Sequence, residues 1–237
     1  DRIKPALASG DLYIDFDGKI KLKHRGLAFC SSDKNRPFPW LFHHNGKSTG
    51  RKCSYWLDIV WKKFGLLPSF CRHRCFKIVS RPRDFDELMR WSDVQSTCGM
   101  PGKLGCEHRE FVPHKWGSYI YANGKKQAVE YFEKVCALRD TKGFDGMKVI
   151  YKRACTEMEM RHGPPHTWPE MTAVERAIER RLDSIFEMPD GDREQPDYLR
   201  QYIIQGWVSH AWSHGDMSVC KYNEDEALVV PSTAYNE

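Results

Sequence analysis

Apolar and polar residues alternate in a strand and helix rhythm through the middle of the chain. The apolar run over residues 76–79 predicts a strand that ends at Arg81-Pro82. Asp84 and Glu87 form a capping-box signature, so a helix is expected to begin directly after this strand. The strand and the helix together predict the first half of a layered domain.

Two further strands and a second helix continue this rhythm. Residues 119–121 and 147–151 read as strands, and the segment between them places apolar residues at helical spacing, with Cys136 on the apolar side. Strand–helix–strand–helix–strand is typical of an α+β or α/β layer. We therefore expect an α+β (or α/β) fold built on a small mixed sheet.

The N-terminal part predicts a hairpin, a long loop and a helix. Residues 11–24 alternate on either side of Asp17-Gly18, as the two strands of a hairpin do. Residues 30–52 are rich in polar side chains, glycine and proline and predict a loop, after which residues 54–64 predict a helix. Asp15 and Asp17 resemble a metal-binding pair, but no further acidic residue follows at the spacing of a calcium-binding loop. We therefore interpret them as turn residues of the hairpin.

The C-terminal part predicts two amphipathic helices that cover the sheet. Thr167 and Glu170 form a second capping-box signature before an apolar stripe over 171–185, and another helix begins near Asp197. The acidic and then small, polar tail after Cys220 is expected to be loosely held. We interpret 1–237 as one domain made of four segments: 1–52, 53–160, 161–220 and 221–237.

The composition indicates a chain that can fold without a structural metal. With 237 residues and 41% hydrophobic content, it can bury a real core. The net charge of +5 permits nucleic acid as a partner but does not require it. No run of about eighteen apolar residues occurs, so we expect no membrane association. Nine cysteines are an odd number and favour free or metal-bound thiols, hence an intracellular location.

Five cysteines compete for one candidate metal site. Cys71 and Cys75 flank basic residues, Cys98 and Cys106 share a glycine-rich loop, and Cys155 follows the third predicted strand. Cys98 and Cys106 compete for one place, and Cys106 is favoured because it precedes the next strand. Cys136 reads as a core residue, while Cys30, Cys53 and Cys220 read as packing or free thiols. Five unrelated free cysteines are the alternative.

The spacing of these cysteines favours an iron–sulfur cluster over zinc. Cys71 and Cys75 are four residues apart, too wide for the common zinc knuckle, and no second knuckle follows. A 4Fe-4S cluster accepts ligands at irregular spacing. There is one geometric condition: in a parallel sheet Cys75 and Cys155 would lie a strand length apart, roughly 17–20 Å.

Basic side chains accompany the cysteines. Nearby positive charge stabilises thiolates, and Arg72, Arg74, Arg109 and Lys152 could also bind a small anionic substrate. His210 and His214, four apart on a predicted helix, offer a rival site that lacks the metalloprotease glutamate.

The segments CFKIVSRP, GKLGCEHRE, WGSYIYANG and KVIYKRACTEME resemble an uncharacterised cysteine-containing family of tailed phages and other viruses. The resemblance covers about the middle half of the chain. It implies viral origin, a host-cytoplasmic location and iron–sulfur binding, with no assigned reaction. It does not identify which cysteine matches which ligand.

Three functions therefore remain open. The first is an iron–sulfur protein with a redox partner or a cluster-dependent reaction. The second is a zinc-stabilised nucleic-acid-binding module in which Trp40, Trp61 or Trp116, if exposed, would stack on bases. The third is an interaction protein without a metal. Whether the protein is an enzyme is left open.

Overall fold

A five-stranded antiparallel sheet forms the centre of the fold. The computed structural model describes residues 12–14, 20–22, 40–44, 53, 55–185 and 195–222. These contain a separate two-stranded hairpin and the five-stranded sheet. The strands are β1 (Leu12–Ile14), β2 (Ile20–Leu22), β3 (Trp40–His43), β4 (Cys75–Arg81), β5 (Gly102–Cys106), β6 (Trp116–Asn123) and β7 (Lys148–Arg153).

Six α-helices accompany the strands in the described residues. They are α1 (Ser69–His73), α2 (Phe85–Thr97), α3 (Lys125–Thr141), α4 (Thr156–His162), α5 (Ala173–Ile185) and α6 (Asp197–Ser213). A π-helical segment covers Tyr55–Trp61, and short 3-10 turns cover Pro165–Thr167 and Met217–Tyr222.

The strand order β3-β5-β6-β4-β7 gives the chain its topology. From β4 onward the elements follow in the order β-α-β-β-α-β, which is the ferredoxin-like split βαβ arrangement. The α+β class expected from the sequence is confirmed. The sheet is not mixed, however, because every described neighbouring pair of strands runs antiparallel.

Most expected elements form where the pattern placed them. The N-terminal hairpin is confirmed by the pairing of Tyr13 with Lys21, although its turn lies outside the described residues. The first capping box is also confirmed, since the Asp84 carboxylate accepts a 2.8 Å hydrogen bond from the backbone N–H of Glu87. The C-terminal residues from 223 onward, expected to be loosely held, lie outside the described part.

Two strands lie in segments that the sequence assigned to loops. β3 falls within 30–52, and β5 falls within the glycine-rich segment before the second expected strand. Gly102 reads as a loop residue, yet a Cβ at this position would lie 2.6 Å from the Tyr119 carbonyl oxygen and 2.5 Å from Gln95 Nε2. Glycine is therefore needed because the neighbouring strand and helix approach so closely.

The second capping box is also displaced from its expected position. The hydroxyl of Thr172 accepts a 3.1 Å bond from the Glu175 N–H, and the Glu175 carboxylate accepts a 2.7 Å bond from the Thr172 N–H. The reciprocal pair that starts α5 is thus Thr172 with Glu175, not Thr167 with Glu170.

The two faces of the sheet have different chemistry. One face, here called the helical face, packs against α2, α3 and α6 through apolar residues such as Phe76, Ile120 and Leu104. Residues directly opposite each other in antiparallel strands share a face. Lys77 with Tyr121, and Lys103 with Tyr119, therefore lie together on the opposite face, here called the polar face.

Candidate metal centre

The pairing of β4 with β7 brings Cys75 and Cys155 together. Phe76 lies opposite Arg153, so β7 ends beside the start of β4. The next residue, Ala154, donates a 2.8 Å backbone hydrogen bond to the Cys75 carbonyl oxygen. Because the two strands are antiparallel, the strand-length separation that a parallel sheet would impose on these cysteines does not arise.

Cys71 approaches the same place from the preceding helix. It lies on α1, which ends one residue before β4 begins, and its side chain is hydrogen-bonded to that of Cys75. Four residues of helix and turn therefore bring two thiols into contact. The C-x3-C spacing is too wide for the common zinc knuckle, but here it allows both thiols to belong to one site.

Cys53 is the fourth member of the group, which we call the thiol cluster (Cys53, Cys71, Cys75 and Cys155). Its thiol interacts electrostatically with those of Cys155, Cys75 and Cys71. The Cys155 thiol interacts in turn with those of Cys71 and Cys75. Every pair within the thiol cluster is thus close enough to interact, and all four are free thiols.

The thiols of the cluster differ in their tendency to ionise. The hydrogen bond from Cys71, assisted by the Lys77 ammonium, lowers the pKa of Cys75 to about 7 against the effect of burial. The same hydrogen bond, followed by burial, raises the pKa of Cys71. Burial raises the pKa of Cys53 and of Cys155. Cys75 therefore carries the first negative charge of the cluster.

Lys77 places a positive charge beside the thiol cluster. Burial by itself would lower its pKa, but the thiolates of Cys155 and Cys75 outweigh this and raise it. The Tyr121 hydroxyl lies on the same side, where burial and then the nearby cysteine thiolates raise its pKa well above the ordinary range. A buried ammonium group beside four thiols lowers the cost of gathering their negative charge.

An apolar shell encloses one side of the thiol cluster. Cys71 packs in a core group that includes the large side chains of two tryptophans from different segments. Such a shell limits the access of water and sets the local polarity around a bound metal. Its members are Trp61, Leu67, Cys71, Ala154, Met158 and Trp168.

Cys106, the favoured fourth ligand in the sequence, lies away from the thiol cluster. It pairs with Trp116 at one end of β6, whereas Cys75 pairs with Asn123 at the other end. Seven residue steps along a strand span about 24 Å. The expected grouping of Cys106 with Cys71, Cys75 and Cys155 is therefore corrected, and Cys53 takes its place.

Cys98, the competing choice, makes local contacts at the end of α2. Its thiol donates a 3.2 Å hydrogen bond to the Gln95 carbonyl oxygen and accepts a 3.4 Å bond from the Met100 N–H. Neither contact involves the thiol cluster.

The four basic residues expected at a ligand site are instead engaged within the protein. The guanidinium of Arg72 is buried and donates to the Leu67 and Pro169 carbonyl oxygens. Arg74 donates to the Asn123 side chain. Lys152 donates to Thr156 and Glu159, and Arg109 donates to Glu107 and Glu157. These bonds fix the orientation of all four side chains within the protein.

A buried ionic network extends from the thiol cluster along the polar face. The Glu107 carboxylate accepts bonds from Arg109 Nε at 2.7 Å and from the Tyr119 hydroxyl at 2.8 Å. Nearby, the Lys103 ammonium lies 4.0 Å from the centre of the Trp40 ring, and burial with the repulsion of Lys77 lowers the pKa of Lys103 to about 8. This face therefore combines charged groups of both signs beside the thiols.

Two of the three tryptophans considered for base stacking are buried. Trp61 is part of the shell around the thiol cluster, and Trp116 packs in the core beneath α6. Trp40 is partly buried and has the Lys103 ammonium over its ring. Stacking of a base on Trp61 or Trp116 would therefore require the core to open.

Nothing in the sequence links Cys53 to the other three cysteines of the thiol cluster. It lies eighteen residues before Cys71, and no repeated spacing connects it with Cys155. The amphipathic pattern that follows it predicts a helix but does not say where the start of that helix lies relative to the sheet. Tertiary structure alone brings Cys53 to the group.

Within the described ranges, none of the helices has the length and apolar character required to cross a membrane. The chain matches no protein-family model, no curated protein and no solved structure.

Proposed function

We propose that this protein binds one 4Fe-4S cluster through Cys53, Cys71, Cys75 and Cys155. The observation that carries the proposal is the mutual proximity of these four thiols, which come from four separate segments of the chain. Four cysteine thiolates are the usual ligands of such a cluster. The resemblance of the segment KVIYKRACTEME and its companions to the viral family points to the same chemistry.

The surroundings of the thiol cluster support a negatively charged metal group. The Lys77 ammonium stabilises the thiolate form of Cys75. Hydrogen bonds to sulfur and nearby charge are among the factors that set the potential of an iron–sulfur cluster. Lys77 is thus suited to balance part of the charge of four coordinated thiolates.

The spacing of the thiols favours an iron–sulfur cluster over a single zinc ion. A zinc–sulfur bond of about 2.3 Å requires tetrahedral ligand sulfurs to lie about 3.8 Å apart. In the described residues, one group of three donor atoms lies within 4.8 Å of one another, and it contains none of the four cluster thiols. In a 4Fe-4S cluster each thiolate binds a different iron, so the sulfurs lie further apart.

Electron transfer is the role that four thiolates favour. When every iron has a cysteine ligand, no iron is open to bind a substrate as a Lewis acid. Arg72, Arg109 and Lys152 are also engaged in internal bonds instead of facing an open ligand site. We therefore propose a redox protein that exchanges electrons with a separate partner.

Anaerobic purification followed by iron and sulfide analysis tests this function. We expect four irons and four sulfides per chain and a broad visible absorption that bleaches on reduction. A colourless protein that contains one zinc ion at the thiol cluster would favour the alternative, a zinc-stabilised module. A protein that acquires neither iron and sulfide nor zinc under these conditions would contradict both.

A further inference from the structure

A second group of metal-binding side chains lies at the other end of the sheet. Cys106 ends β5, His108 follows two residues later, and His210 lies on α6. One donor atom from each of these three residues lies within 4.8 Å of the other two. We propose that Cys106, His108 and His210 bind a zinc ion that is separate from the thiol cluster.

The His210 ring lies in a position suited to metal coordination. Its side chain is 9% exposed, and its Nε2 atom is buried without a hydrogen bond to any described residue. A buried polar atom without a partner costs free energy, and a bound ion is one recognised explanation. The ring also makes a hydrogen bond to the backbone of Lys115.

A backbone contact of this kind is typical of metal-binding histidines. When one ring nitrogen donates to a carbonyl oxygen, the other nitrogen is left with a lone pair for the metal, and the orientation of the ring is fixed. In His210, Nε2 is the buried nitrogen without a described partner, and it is therefore the candidate metal-binding atom. The ring is further held against Trp116, with the two ring centres 5.1 Å apart.

The chemistry of the three donors selects zinc. A thiolate and two imidazoles are nitrogen and sulfur ligands, which zinc binds in tetrahedral geometry and which calcium and magnesium do not favour. Three protein ligands leave the fourth position of the ion to water. The neighbouring His214 does not belong to this group of donor atoms.

The ion would connect α6 to the sheet. Cys106 and Leu104 of β5 already pack against Trp207 and Ala211 of α6 in one core group. Coordination by His210 would add a bond between the same two elements on the helical face. This position is about 24 Å along the strands from Cys75, so zinc binding here does not depend on the thiol cluster.

Cobalt titration of a protein that cannot form the four-thiolate centre tests the proposal. In metal-free Cys155→Ser protein, we expect one Co²⁺ per chain with the tetrahedral visible bands and a thiolate charge-transfer band in the near ultraviolet. Zn²⁺ should displace it. Adding Cys106→Ser should abolish the charge-transfer band, and adding His210→Gln should weaken binding at least tenfold.

Matched controls separate this site from others in the chain. Cys98→Ser and His166→Gln, added to the same protein, should leave the cobalt spectrum and affinity unchanged. If His210→Gln does not fold, Cys106→His decides the question, because it keeps a zinc ligand and should bind cobalt without the charge-transfer band. Absence of metal binding by the Cys155→Ser protein, or an unchanged spectrum and affinity after Cys106→Ser, would overturn the proposal. Loss of iron from the thiol cluster would leave these outcomes unaffected.

Discussion

The backbone N–H of Ala154 donates to the carbonyl oxygen of Cys75 at 2.8 Å, while Ala154 itself adopts a left-handed conformation with φ of 61°. This turn ends β7 and positions Cys155 at the start of α4, beside Cys75. A left-handed backbone is tolerated by glycine and strongly disfavoured for β-branched residues. The geometry of Ala154 is therefore part of the construction of the thiol cluster.

Two substitutions of Ala154 test whether this left-handed turn controls assembly of the thiol cluster. Ala154→Val is expected to displace Cys155 and lower iron content, because the residue is fully buried and its backbone disfavours a branched side chain. Ala154→Gly, the matched variant, accepts the same φ and should retain the iron. Iron and sulfide analysis after anaerobic reconstitution measures both. Equal iron content in the two variants would show that this turn does not control cluster assembly.

Lys77 should tune the potential of the bound cluster. Its ammonium interacts with the thiolates of Cys75 and Cys155, so Lys77→Met removes a positive charge that stabilises the reduced state. We expect the midpoint potential to fall by about 60 mV, a tenfold change for one electron. Potentiometric titration followed by electron paramagnetic resonance measures it. Lys77→Arg keeps the charge and should shift the potential less; an unchanged potential in Lys77→Met would contradict this role.

The buried pair of Glu107 and Arg109 should contribute to stability. Glu107 is 1% exposed, so Arg109→Met leaves a carboxylate without its charged partner. Breaking a buried pair in this way typically costs about 3 kcal/mol. Urea denaturation monitored by circular dichroism measures the loss. Lys134→Met, which removes an exposed partner of Glu130, should change stability little. Equal effects of the two substitutions would contradict the buried role of Glu107.

His43 should make stability depend on pH. Burial, then the charge of Arg200 and of His44, lowers its pKa from 6.5 to about 4. The unfolded chain therefore binds a proton that the folded protein does not, and stability falls as pH decreases from about 6.5 to 4. The full loss for this residue is at most about 3.4 kcal/mol.

Comparison with His43→Gln isolates this contribution. The pKa of His210 is also lowered to about 4, so the wild-type protein has more than one source of pH dependence in this range. Urea denaturation at several pH values should show a shallower dependence in His43→Gln than in the wild type. Parallel curves for the two proteins would show that His43 does not titrate as described.

The fold could be predicted largely from local patterns. The apolar run of β4 and the capping box at Asp84 and Glu87 are local signals, and both elements formed as expected. β5 could not be recognised because Gly102 and Gly105 are typical of loops. Glycine is needed at position 102 because Tyr119 and Gln95 approach it closely, and this approach is a property of the folded chain. Antiparallel pairing, too, is a property of the assembled sheet.

The candidate site was predicted in part. Cys71 and Cys75 are near neighbours in the sequence, and Cys155 was identified from its position after a strand. The position of Cys106 before a strand favours it as a ligand, but the strand register places it at the far end of β6. Cys53 could not be found, since neither spacing nor local pattern indicates a contact that depends on the packing of a helix against the sheet.

Iron and sulfide content in two single variants tests the central claim most directly. Cys53→Ser and Cys106→Ser each remove one thiol, but only Cys53 belongs to the thiol cluster. After anaerobic reconstitution, we predict that Cys106→Ser retains the wild-type four irons and four sulfides and that Cys53→Ser loses the intact 4Fe-4S cluster. Retention of the full cluster by Cys53→Ser, together with its loss in Cys106→Ser, would contradict the account.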